Sequence, residues 1–134
     1  MSFREKSAWA MALVMLVTGA VYVTLAAAHP GAPAIGVVMP LVLLVVILSI
    51  VVQTLLALSF PREASAPADE RERRITDKAG HFASYVLATG VVVGLGQFMV
   101  TQDGGKMFHI VLTCLILSHI AEYGAQILFF RRSI

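Results

Sequence analysis

Four long apolar runs fill this chain, at about residues 7–28, 35–60, 79–100 and 107–130. Each exceeds the roughly 18–20 residues that an α-helix needs to cross a hydrocarbon layer of ~30 Å. The runs therefore predict an all-α, polytopic membrane protein with four transmembrane helices in an up-down bundle. Residues 1–134 then form one transmembrane domain. With 58% hydrophobic residues, most side chains must face lipid or another helix. The longest polar stretch, Pro61 to Lys78, leaves no room for a soluble catalytic domain.

The basic residues do not suggest nucleic acid as a partner, because they cluster at the ends of the apolar runs. Nine of the ten Lys and Arg residues lie in three places: Arg4 and Lys6; Arg62, Arg71, Arg73, Arg74 and Lys78; and Arg131 and Arg132. Only Lys106 lies in the other two connections. Such a bias in short loops predicts a cytoplasmic (inner) membrane protein with both termini and the central segment inside. Trp9, Tyr22, Phe60, Phe98, Phe108, Phe129 and Phe130 fall near the expected helix ends, as interfacial aromatics do. The N-terminal charges, the first run and Ala26-Ala27-Ala28 also resemble a secretory signal. Signal h-regions run about 7–15 residues, so the longer run here reads as a span. Cys114 is the single cysteine and reads as a small apolar packer.

Ser7 is the expected N-cap of the first helix. His29-Pro30-Gly31-Ala32-Pro33 ends it in a tight turn. The second helix begins either near Ile35 or just before Pro40. It is apolar all round and reads as the most lipid-exposed span. Asp69 is the expected cap of a third helix that starts in the polar segment at about residue 69 and runs unbroken into the membrane to residue 100. Five acids balance five bases across residues 61–78, so this collar is either a solvated extension or a docking surface, with Arg71, Arg73 and Arg74 as its contacts. Gly80, Ser84 and Ala88, with Gly90 and Gly94, make small-residue rows on the third helix. Ala121 and Ala125 make one on the fourth. Such rows let helices approach closely in lipid, so these two helices are the expected packed pair.

The fourth run carries His119, Glu122 and Gln126 at spacing i, i+3, i+7, on one helix face. At ~1.5 Å per residue, Glu122 lies roughly 13 Å inside Arg131, and His119 roughly 18 Å. Gln53 and Tyr85 lie roughly 10–12 Å deep by the same ruler, which predicts that both meet Glu122. A carboxylate at that depth costs several kcal/mol unless paired, hydrated or protonated. Two accounts stand: a structural hydrogen-bond network, or a proton or ion site in which Glu122 titrates and His119 relays. His81 and His119 differ in depth by roughly 13 Å, which disfavours a bis-His haem. His29 and His109 share the opposite end without a metal-binding motif.

Asp69-Glu70-Arg71-Glu72-Arg73, Glu122-Tyr123-Gly124-Ala125-Gln126 and Arg131-Arg132 resemble stretches in a broad group of uncharacterised small prokaryotic membrane proteins with four helices. The likeness covers the second half well and the first half in hydropathy alone. Some of that group are similar to proteins encoded beside small DNA-binding regulators, which implies sensing or sequestration. Lys78-Ala79-Gly80-His81 departs from the bulkier polar stretch that the resemblance implies there.

No nucleotide loop, nucleophile–base motif or zinc spacing occurs, so neither an enzyme nor a bound cofactor is expected. The leading expectation is a non-enzymatic membrane module, homo-oligomeric in the lipid bilayer. It would sense or anchor a cytoplasmic protein partner through residues 61–78. The rival is a small dimeric proton-coupled transporter using Glu122. A cofactor-binding redox subunit is the third and weakest reading.

Overall fold

A computed structural model describes residues 1–132. The helices are α1 (Phe3–Ala28), α2 (Ala34–Ser59), α3 (Pro61–Ala64), α4 (Glu70–Thr101) and α5 (Gly104–Arg131). Four of them, α1, α2, α4 and α5, are long and apolar enough to cross a membrane. The protein is an all-α, four-helix membrane bundle, with α3 a single turn at its arginine-rich end.

The caps explain the boundaries. α1 starts before the apolar run because the Ser2 hydroxyl accepts the Glu5 N–H at 3.3 Å. An acid in the first turn suits the positive end of the helix. Ser7, the expected cap, is inside α1. α2 takes the earlier of its two starts, so Pro40 lies in its second turn and offers no N–H to the carbonyl of Gly36. α4 opens on a capping box: the Asp69 carboxylate accepts the Glu70 N–H at 2.7 Å, and the Asp69 N–H donates to Glu72 Oε2 at 3.3 Å. α4 then runs unbroken for about 48 Å, well beyond the ~30 Å of hydrocarbon. It ends at Gln102, whose φ of 55° is left-handed. One residue on, the Asp103 carboxylate accepts the Lys106 N–H at 3.0 Å and caps α5. That hydrogen bond holds the Asp103 carboxyl below the ordinary aspartate range.

The most extensive packing joins α4 to α5. α1 packs on α5 and α2 packs on α1. No comparable packing joins α2 to α4. In space the order is therefore α2–α1–α5–α4: two hairpins meeting along α1 and α5, with the bundle open between α2 and α4. Tyr22, Val37, Leu41 and Ile116 form the core where α1, α2 and α5 meet.

The α4–α5 seam rests on glycine. A Cβ at Gly90 would run into Cβ and Sγ of Cys114, and one at Gly94 would meet Val111 Cγ2 at 2.9 Å. The row completing this seam toward the arginine-rich end is Ala79 and Ala83, both buried. The expected row Gly80, Ser84, Ala88 does not face α5. It is one residue along and so turned about 100° round the helix. Gly80 meets nothing within 4 Å, and Ser84 and Ala88 are exposed. Ala121 and Ala125 are half-buried on α5.

Candidate functional site

The α5 face holds its polar residues together. Gln126 is buried at 8% exposure, and its Nε2 donates to Glu122 Oε1 at 3.4 Å. His119 Nδ1 lies 3.7 Å from Glu122 Oε2. The Glu122 side chain is 26% exposed and that of His119 43%. Among the described residues, Glu122 finds its polar partners on its own helix. No side chain of α1, α2 or α4 among them hydrogen-bonds or ion-pairs with it.

Gln53 and Tyr85 do not join this cluster. Gln53 bonds instead to Ser7 of α1: Nε2 donates to Ser7 Oγ at 2.8 Å, and Ser7 Oγ lies 3.2 Å from Gln53 Oε1. Tyr85 is 69% exposed, beside Thr89 and Cys114 on the outer flank of α4. It lies two residues after Ala83, about 200° round the helix from the α5-facing row. Equal depth put these residues in one layer. Azimuth separates them.

The arginine-rich end is tied together by three consecutive residues. Arg4 Nε pairs with Glu72 Oε2 of α4 at 3.2 Å. Lys6 Nζ pairs with Glu63 Oε2 of α3 at 3.0 Å, and also lies 3.6 Å from the centre of the Phe60 ring. Glu5 Oε1 lies 4.0 Å from Arg131 Nε of α5, whose guanidinium sits over Trp9. Successive residues on a helix point about 100° apart, so three adjacent charges reach three different neighbours. The alternating signs in Arg4-Glu5-Lys6 are the signal that could have revealed this. Counting charges for orientation passes over it.

The three collar arginines are exposed. Arg73 is exposed without an ionic partner among the described residues. Arg74 pairs with Glu70 on its own helix, and Arg71 Nη2 donates to the carbonyl of Phe130 at 3.4 Å. At the same end, between α1, α4, α5 and the α3 connector, lies a cavity of about 500 Å³. Ser7, Thr76 and Gln126 contribute polar walls. The Arg4–Glu72 pair and Glu63 lie around it.

With this geometry in view, the chain matches the family described as "Predicted membrane protein (DUF2178)" over residues 4–134. The chain belongs to the DUF2178 family. No curated protein and no solved structure matches it. Family and fold together make it a multi-pass membrane protein. The match spans nearly the whole sequence and does not single out the Asp69–Arg73 stretch.

One further polar contact of this DUF2178 chain escapes sequence reading. The Tyr22 hydroxyl lies 2.7 Å from His109 Nδ1, joining α1 to α5 near the other end of the bundle. Tyr22 reads as an interfacial aromatic and His109 as one half of a surface pair with His29. The structure seats His109 against Tyr22 instead. Its ring also meets Phe108 edge-on, with centroids 5.6 Å apart. The contact is an interhelical tie of the kind that averages about 0.6 kcal/mol in membranes.

Proposed function

We propose that this DUF2178 protein is a non-enzymatic module of the cytoplasmic membrane that senses or anchors an acidic cytoplasmic partner through residues 61–78. The observation that carries this is how the ion pairs divide the collar. Lys6 and Arg4 engage Glu63 and Glu72, Arg74 engages Glu70, and Asp69 is committed to the capping box. Arg62, Arg71, Arg73 and Lys78 are left exposed without an ionic partner among the described residues, against one such acid, Asp77. The balance of acids and bases in the sequence thus becomes a cationic outer surface, suited to a partner's carboxylates. The positive-inside rule supports a cytoplasmic orientation for that surface. The open side between α2 and α4 supports a homo-oligomer in which a second copy supplies the missing wall. Arg71→Glu with Arg73→Glu is expected to release a partner that co-purifies with the wild type from native membranes. If no partner ever co-purifies, this reading fails.

A second reading, a small dimeric proton-coupled transporter, is favoured by Glu122. It is a part-exposed carboxylate inside a span, with His119 its nearest basic group. Glu122→Gln is then expected to abolish proton flux in proteoliposomes while the protein stays folded. Unchanged flux removes Glu122 from that role.

A further inference from the structure

We propose that the cavity at the arginine-rich end is the entry through which water and protons reach Glu122. This rests on the second reading only for the titration of Glu122, and not for any flux across the membrane. At ~30 Å³ per water, about 500 Å³ admits a cluster of waters, and polar side chains on α1, α4 and α5 are there to bind them. Gln126 forms the inner wall and is itself hydrogen-bonded to Glu122. The carboxylate therefore stands one side chain away from the cavity. From the other end the path is long: Lys106 precedes Glu122 by 16 residues, roughly 24 Å of mostly apolar helix. Access is one-sided for that reason.

The charged surroundings are mixed in sign. The cavity is bordered by Glu63 and Asp69 of the connector, Glu72 of α4 and Arg4 of α1. Arg4 and Met1, which bears the N-terminal ammonium, are the bases of the lining, and Glu72 pairs with Arg4. Lys6 reaches Glu63 from α1, and Glu5 points to Arg131. On α5 itself, His119 and Tyr123 flank the carboxylate. A hydronium ion that passes from the cavity beside the Gln126 side chain gives its proton to the Glu122 carboxylate and leaves water behind. The resulting acid can pass that proton to His119 Nδ1, forming imidazolium and restoring the carboxylate. No other bond changes. Gln126 carries no proton; it is a positioning residue that orients both the carboxylate and the water beside it.

The test uses the full chain in oriented membrane vesicles, with Cys114→Ser removing the native thiol. Gln126→Cys should react with a membrane-impermeant methanethiosulfonate cation added on the side of the termini, and not from the opposite side. Should Gln126→Cys fail to fold, Ser7→Cys on the wall of the same cavity replaces it. Absence of reaction, or equal reaction from both sides, overturns the proposal. In parallel, the infrared carboxylic acid band lost in Glu122→Gln should follow a pH jump on the side of the termini. Gln126→Leu should slow that response by about tenfold. An unchanged rate also overturns the proposal. Transport is judged separately: one-sided titration without proton flux keeps the entry and removes the transporter. Flux that survives Gln126→Leu at full rate removes the entry and keeps the transporter.

Discussion

α2 and the α4–α5 pair differ in a way that inverts the rule for soluble proteins. α2 is the most apolar span, yet Val37 and Leu41 are its only buried residues among those described. α4 and α5 carry glycines, serines, histidines and glutamates, and they make the most extensive packing in the molecule. In water, burial follows apolar area. In lipid that driving force is absent between helices, because acyl chains are as apolar as leucine. Contact then depends on how closely two backbones can approach. Gly90 and Gly94 allow that approach on α4. The Leu41–Val52 stretch of α2, with Ser49 its only small residue, does not.

The strongest way to break this comparison is to fill the seam. Gly90→Ala puts a methyl group into Cβ and Sγ of Cys114, and a helix backbone must move to admit it. We expect a loss of about 1–3 kcal/mol, read from reversible unfolding in mixed micelles. Gly80→Ala adds the same methyl group to open space on the same helix and should cost nothing. It is the control for helix propensity, which favours alanine by up to about 1 kcal/mol. Equal stability for the two variants would remove the seam as the organising contact. Gly94→Ala should fall between them, because its obstacle is the Val111 side chain, and Val111→Ala should restore most of its loss.

These positions also show what sequence could and could not reveal. The four spans, the Asp69 cap and the pairing of the last two long helices are legible, because run length, capping chemistry and small-residue spacing are local properties. The Gly90–Gly94 pair was legible in place, whereas nearer the arginine-rich end the row was legible as a period but not as a phase. Gly80, Ser84, Ala88 and the observed Ala79, Ala83 have the same spacing, and only the position of α5 distinguishes them. Depth was equally legible and equally incomplete. It placed Gln53, Tyr85 and Glu122 in one layer, but depth along a helix carries no information about direction around it. Which helix neighbours which is a global property. With α2 beside α1 and away from α4, Gln53 meets Ser7 and never reaches Glu122. His119, Glu122 and Gln126 stay together because one helix carries all three.

The Ser7–Gln53 contact sharpens the comparison from the other side. α2 has no glycine-based seam at that depth, so one polar pair supplies the specific tie to α1. Gln53→Leu should destabilise the protein by about 0.6 kcal/mol, the average for interhelical hydrogen bonds in membranes. Ser7→Ala should do the same. Because each residue is the other's partner, the double variant should cost no more than either single one. Simple additivity in that cycle would mean that the two side chains do not meet, and that α2 is held by apolar packing alone.

The smallest effect is expected at the hairpin turns, where the two regions differ in chemistry. α2 starts at Pro33 without a side-chain cap, whereas α5 starts at Asp103, whose carboxylate accepts the Lys106 N–H. That bond lowers the Asp103 pKa in the folded protein. A depressed carboxylate pKa contributes stability that is fully present above the unfolded-state value and is lost as pH falls through the folded one. The α4–α5 hairpin should therefore loosen slightly in acid, below the ordinary aspartate range. Asp103→Asn keeps an amide oxygen to cap the helix but has no charge to lose. Unfolding measured for both proteins from about pH 6 to about pH 2 should show a small gap that closes in acid. A gap of constant size would mean that the carboxylate's charge does not act at this cap. The α4–α5 hairpin would then differ from the α1–α2 hairpin through its glycine seam and not through its turn.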